Sequence, residues 1–242
     1  MSPLRKIYFA RLFWRIAVLA VCIYISVYYK NFFSVLDDLN FFKSFSPLHI
    51  LWIIWIFDML VQIVPVNAKT SIGSQKLFSK RFKASDKKID YEALKNYISS
   101  STKSAYKIFV LWAVLIALIG ILYHLNIIDK IQLFLITVFF YVCDVICVVI
   151  WCPFRLIIKN RCCTTCRIFN WDHAMMFSPL IFMGGFFANS LVVMSFAVWL
   201  IWEVSVMLYP ERFWEHSNEA LKCSKCTDKL CTQYCKNKKT AI

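Results

Sequence analysis

AMMFSPLIFMGGFFANSLVVMSFAVWLIWEVSVMLY, residues 174–209, runs for 36 residues with Glu203 as its only charged side chain. Crossing about 30 Å of hydrocarbon at about 1.5 Å per residue takes roughly twenty apolar residues. The stretch is therefore too long for one tilted span and tight for two. Gly184, Gly185, Asn189 and Ser190 interrupt it near the middle, and glycines beside a short polar pair are turn chemistry. We read two helices, about 174–188 and 191–209, joined by a very short hairpin. A single re-entrant segment is the alternative, because the first half is short.

Four more apolar runs precede this one, at 12–29, 48–64, 108–125 and 133–152. With 60% apolar and 17% aromatic residues, only four glycines and a mean hydropathy of +0.60, the chain falls outside the soluble globular class. A soluble helical core would need polar faces at 3.6-residue spacing, and 51–57 and 111–122 have none. The expected fold is all-α: a polytopic integral membrane protein of six transmembrane helices over residues 1–209, followed by a small cysteine-rich tail, 210–242. Arg11 and Arg15 in or beside the first run, with no small-residue cleavage pattern after it, argue that this helix is retained.

With six spans, both termini, the long loop 65–107 and the loop 152–173 share one side. That side carries 25 of the 28 Lys and Arg residues, counting Arg15 near the start of the first span, and only Lys30, Lys43 and Lys130 fall opposite. Cationic loops stay in the cytoplasm, so the expected topology has both termini and both cysteine groups cytosolic. The net charge of +14 is spread over every loop of one face. This is a topology signal with attraction to anionic lipid headgroups, and it disfavours nucleic acid as the partner. Within loop 65–107, the basic stretch 76–88 leads into a helical pattern with Ser85 or Asp86 as the cap and Ile89, Leu94, Tyr97 and Ile98 on one side. The opposite loop, 32–45, reads as a short amphipathic helix lying along the interface.

The tail carries Cys223, Cys226, Cys231 and Cys235 within thirteen residues. A loop that short brings four thiolates around one tetrahedral ion with Zn–S distances of about 2.3 Å, and a reducing cytosol favours metal or redox use over disulfides. The spacing resembles the zinc knuckle, with Cys231 where that motif has histidine and a last gap one residue shorter. It also departs from ferredoxin-type runs. Zinc and an iron–sulfur cluster both fit. Cys162, Cys163 and Cys166 form a second group flanked by Arg161 and Arg167, which lower thiolate pKa values. Paired with the tail, this group makes a two-knuckle thiolate site, and Cys152 beside Pro153 is an accessory ligand. Cys22, Cys143 and Cys147, inside spans, read as small hydrophobes.

Asp58, Asp144 and Glu203 fall within spans, where a carboxyl group is a functional candidate by default. All three sit on helices running the same way and are expected to share one depth. The choice is between a polar cavity conducting protons or cations and neutral acids or a pair with Arg15. Asp172 and His173 enter the fifth span as a helix-capping acid and an orienting pair, with His173 also a possible ligand near Cys166. There is no phosphate loop, nucleophile elbow or H-E-x-x-H motif, so no catalytic residue is assigned. The leading function is a non-enzymatic membrane protein whose cytosolic thiolate site, with zinc slightly favoured over an iron–sulfur cluster, forms a docking or regulatory surface for a cytosolic protein. The alternatives are an electron-transfer component carrying an iron–sulfur cluster and an ion or metal transporter using the intramembrane carboxylates.

Overall fold

The computed structural model describes residues 3–43, 45–64, 77–85, 88–158 and 165–222. Among these the chain is helical, and the only β pairing is an isolated antiparallel bridge between Ala84 and Asn218. Seven α-helices follow in order: α1 Pro3–Tyr28, α2 Pro47–Ile63, α3 Tyr91–His124, α4 Lys130–Val149, α5 Arg155–Ile158, α6 Asp172–Phe177 and α7 Gly185–Leu208. Four of them, α1, α3, α4 and α7, are long and apolar enough to cross a membrane, and α2 is a shorter apolar helix.

Local chemistry sets the boundaries. Ser46 caps α2, its hydroxyl accepting from the Leu48 N–H at 3.4 Å while His49 Nδ1 accepts from the Ser46 N–H at 3.0 Å, with Pro47 as the first helical residue. His49 Nε2 donates to the Phe41 carbonyl at 2.8 Å, tying the preceding loop to the helix. Asp129 and Gln132 form the corresponding capping box of α4. The turn between α3 and α4 is tight because Asn126 takes a left-handed conformation at φ 56°. Ile127 N–H can then return to the Leu122 carbonyl at 3.0 Å.

Two boundaries differ from the sequence reading. The cap of α3 is Asp90, which accepts from Glu92 and Ala93, rather than Ser85 or Asp86, and the helix continues from there without a break into the apolar run. The interruption within 174–209 falls at Gly184 and Gly185, not at Ala188–Leu191. Both glycines have positive φ, 67° and 78°, which only glycine adopts without strain. Asn189 and Ser190 sit inside α7, where Ser190 satisfies its hydroxyl on the Phe187 carbonyl and accepts from Trp52 Nε1. The segment before the break is α6 followed by a 3₁₀ turn, Ser178–Phe182, with Pro179 in its first turn; proline removes the N–H that would continue an α-helix. Residues 30–42 likewise form two 3₁₀ turns, Lys30–Leu36 and Asp38–Phe42, with Phe33, Val35 and Leu36 buried. The loop is thus 3₁₀ rather than one amphipathic α-helix, and these three residues pack into the bundle.

The core is aromatic. Trp55, Phe134, Phe177 and Phe187 are fully buried, and the Trp55 ring lies 5.1 Å from Phe177 and 6.1 Å from Phe134, centroid to centroid. Along α7 the buried positions Phe187, Leu191, Ser195, Val198, Trp202 and Val206 recur at helical spacing, a stripe facing inward. α1 runs antiparallel to α4, with Leu4, Tyr8 and Leu12 packed against Val142, Val145 and Val149. Gly120 on α3 lets the Phe182 ring approach so closely that an added Cβ would stand 2.4 Å from it.

These contacts gather the start of α1, the end of α2, the start of α3 and the segments 152–158, 165–172 and 209–222 at one end of the bundle. There the Ser85 N–H donates to Ser217 O (3.1 Å) and the Glu219 N–H to Lys83 O (2.8 Å). Tyr97 donates to the Thr165 carbonyl at 3.3 Å and stacks on Trp214. We call this the basic end. The far end holds residues 30–43 and 45–46 and the α3–α4 turn, bridged by Lys130 and Asp37 at 2.7 Å.

Candidate functional site

The segment 165–171 dips toward the bundle and carries Asp172 and His173 in with it. Along their helices, Arg15, Gln62 and Asp144 each stand about 20 Å from the far end at about 1.5 Å per residue. They therefore meet at one depth. Arg15 Nη1 donates to Asp144 Oδ2 at 2.5 Å and to the Tyr141 carbonyl at 2.6 Å, and its guanidinium lies 3.8 Å over the Tyr141 ring. Next to this pair, Gln62 Nε2 donates to Asp172 Oδ1 at 2.9 Å, while His173 Nδ1 donates to Gln62 Oε1 at 2.9 Å and stands 3.2 Å from Asp172 Oδ1. Asp58, one turn before Gln62 on α2, is close enough for its charge to act on Arg15, Tyr141 and His173.

Four elements thus bring three carboxylates, one guanidinium and one imidazole together inside the bundle. The three acids outnumber the two basic groups, Arg15 and His173, in either protonation state of the imidazole. Such a group holds protons or cations readily, and low surrounding dielectric strengthens each interaction.

Glu203 does not join this cluster. Arg167 clasps it with both terminal nitrogens, at 2.6 and 2.5 Å, and Trp171 Nε1 donates to it at 2.6 Å. Asp58 and Asp144 share one site, and Glu203 instead anchors the loop 165–171 to α7. Arg167, which follows Cys166 in the chain, makes this contact with its guanidinium.

Against the Asp144 and Asp172 side of the cluster lies a cavity of about 280 Å³. Its walls are apolar and aromatic, including Trp112, Phe140, Phe154 and Met175, with Arg155 also on the wall. Four cysteines from three segments face it: Cys143 and Cys147 on α4, Cys152 after α4 ends, and Cys166 from the opposing loop. All the described cysteines are free thiols. Beyond α4, the Cys152 thiol is held down at about 6, first by the hydrogen bond from Cys147, then by the backbone N–H groups of Phe154 and Arg155 and the charge of Arg155, with burial opposing.

Cys162, Cys163 and the tail cysteines Cys223, Cys226, Cys231 and Cys235 lie outside the described residues. Among the described residues no three His, Cys, Asp or Glu side chains converge on a common point fit for a metal ion, and His173 is engaged with Gln62 and Asp172. Sequence reading missed Gln62 and Tyr141, which carry no periodic signal, and missed the cavity thiols Cys143 and Cys147. Their i, i+4 spacing on one helix face was the available clue. Comparison with protein-family models, curated proteins and solved structures gave no match.

Proposed function

We propose that the chain is a six-pass membrane protein with its basic end in the cytosol and that the cluster of Arg15, Asp58, Asp144, Asp172, His173 and Gln62 is the site through which it moves protons or a small cation. The observation that carries this reading is the meeting of Arg15–Asp144 with the Gln62–Asp172–His173 group at one depth inside the bundle. Ionisable groups in an apolar bundle are costly and mark ion pathways by default. The broken segment 172–182 adds support, because discontinuous segments line the binding sites of membrane transporters. Its end at Phe182 lies beside Gly120 and His124 of α3, a run from the basic end toward the far end that supports counting it as the fifth pass. The charge bias of the loops supports the cytosolic placement.

The test is flux in liposomes containing the purified chain, with an internal pH dye and a panel of monovalent and divalent cations. The expected outcome is a flux that Asp58→Asn, Asp144→Asn and Asp172→Asn together abolish and Glu203→Gln leaves in place. Flux equal to that of protein-free liposomes, or insensitive to the triple replacement, removes the reading.

A second reading concerns the tail. Lys222, directly before it, donates to Ser85 and Glu219, and Tyr97 touches both Thr165 and Trp214. The segments leading into the two cysteine groups thus leave from the same end. This supports a thiolate site, zinc or an iron–sulfur cluster, made by Cys223, Cys226, Cys231 and Cys235 with Cys162, Cys163 and Cys166, that folds the tail against the bundle and presents a surface to a cytosolic protein. Elemental analysis and a visible spectrum of anaerobically purified protein decide it. Stoichiometric zinc supports the docking surface, iron with acid-labile sulfide supports electron transfer, and absence of both metals ends the reading.

A further inference from the structure

The cavity beside the charged cluster is walled for an organic ligand, with an aromatic cage at an acidic end. Three rings from three segments line it: Trp112 on α3, Phe140 on α4 and Phe154 in the turn before α5. The Trp112 ring lies 4.9 Å from Phe140 and 6.3 Å from Phe154, inclined to them by 55° and 72°, so the rings form walls rather than a stack. Its orientation is fixed, because Trp112 Nε1 donates to the Ser178 hydroxyl at 3.0 Å and that hydroxyl donates to the Met175 carbonyl at 2.7 Å. Aromatic rings attract cations, and cages of them recognise organic ammonium groups. Asp144 and Asp172 line the same space, and although Arg15, Gln62 and His173 engage them, 25% and 24% of the two side chains remain uncovered. The cluster behind them holds more acids than basic groups, so it can attract one more cation. A hydrated metal ion would lose its oxygen ligands against these walls. An organic ammonium instead lays its apolar body on the rings and turns its N–H groups to the carboxylates. Arg155, the first residue of α5, is on the wall beyond the end of α4, and its charge directs an ammonium to the acid end. At a packing density of about 0.74, a cavity of about 280 Å³ holds about 200 Å³ of ligand, roughly a dozen non-hydrogen atoms.

We propose that this cavity binds a small lipophilic ammonium ion, with its charged nitrogen at Asp144 and Asp172 and its apolar body against Trp112, Phe140 and Phe154. The site shares its two acids with the ion pathway proposed above but requires no flux. Binding without flux leaves this proposal standing, and flux without binding removes this proposal alone.

The test compares three probes of one shape. Full-length protein in lipid nanodiscs is titrated with tritiated phenylpropylamine, and protein-free nanodiscs measure what the lipid absorbs. The saturable part is then challenged with unlabelled phenylpropylamine, with butylbenzene, in which a methyl group replaces the amine, and with phenylbutyrate, in which a carboxylate does. Saturable binding is expected, with the amine displacing the label at concentrations about tenfold or more below those of either analogue. Asp144→Asn with Asp172→Asn should weaken binding by about tenfold or more, and Phe140→Leu with Phe154→Leu by about threefold to tenfold. Val148→Trp keeps every charge and fills the cavity, so it should abolish binding, whereas Glu203→Gln, away from the cavity, should leave it unchanged. A monodisperse peak and a cooperative unfolding transition verify the fold of each variant, and the comparison of probes on the unaltered chain stands whatever the variants do. The proposal is overturned if the chain adds no saturable binding to that of empty nanodiscs, if phenylbutyrate displaces the label as well as the amine does, or if binding survives the paired aspartate replacement. Equal displacement by butylbenzene overturns it too, and assigns the cavity to an acyl chain.

Discussion

Two arginines reach carboxylates inside this bundle, and their surroundings are opposite. At Glu203 the Arg167 fork and the Trp171 N–H supply three donors to one carboxylate. At Asp144 a single Arg15 nitrogen is shared with the Tyr141 carbonyl, while Asp58 and Asp172 stand close by with the His173 imidazole as the remaining basic group. The first arrangement is saturated, and saturation is what fixes a loop in one place. The second is undercompensated, so it has capacity left for a proton or a cation. An acid in a span is thus informative through how completely its neighbours have neutralised it.

The largest effect should come from Arg15→Leu, which leaves the acids of the cluster without their main counter-charge. Breaking one side of a buried pair costs about 3–5 kcal/mol, to be read as a large fall in the unfolding temperature in detergent, with most of it recovered in the Arg15→Met, Asp144→Leu double variant. Arg167→Leu should cost somewhat less, about 2–4 kcal/mol, because Trp171 still donates to Glu203. It should loosen the loop without altering liposome flux. Should both arginine variants destabilise equally and both leave flux intact, the contrast between a clamp and a loaded site is gone.

Trp171→Phe keeps the ring and removes one donor, with an expected loss of about 1–2 kcal/mol and faster hydrogen exchange across 165–171. The smallest change concerns reactivity. Cys152 alkylation should rise with pH through about 6, since the thiolate forms above that value. In Cys147→Ala, which lacks the donor, the rise should move up toward the ordinary thiol range near about 8.5. An unchanged profile in that variant would show that Cys147 does not stabilise the thiolate.

The apolar runs were legible because hydrocarbon length imposes a simple arithmetic on sequence, and α1, α2, α3 and α4 coincide with the runs read there to within a few residues, apart from the polar extensions of α1 and α3. The position of the break was not, since Gly184–Gly185 and Asn189–Ser190 carry the same turn signal. What separates them is tertiary: Trp52 offers Ser190 a partner inside α7, whereas Pro179 has already ended the preceding helix. Arg15 beside Asp144 was within reach, as both lie in spans at matching depth. The separation of Glu203 from the other acids was not, because it depends on Arg167 arriving from a loop whose path no periodicity records. Cys143 and Cys147 passed as small hydrophobes, and what distinguishes them is the void they face.

α3 is one uninterrupted helix of 34 residues, about 50 Å at about 1.5 Å per residue, considerably longer than the hydrocarbon is thick. The close approach of Gly120 to Phe182 lies near one end of this rod. Tyr97 lies about 35 Å along the rod from that point, so a tilt of about 2° there carries it sideways by about 1 Å. Because Tyr97 touches both Thr165 and Trp214, one rigid helix joins the Phe182 contact near one end to the surface layer at the other.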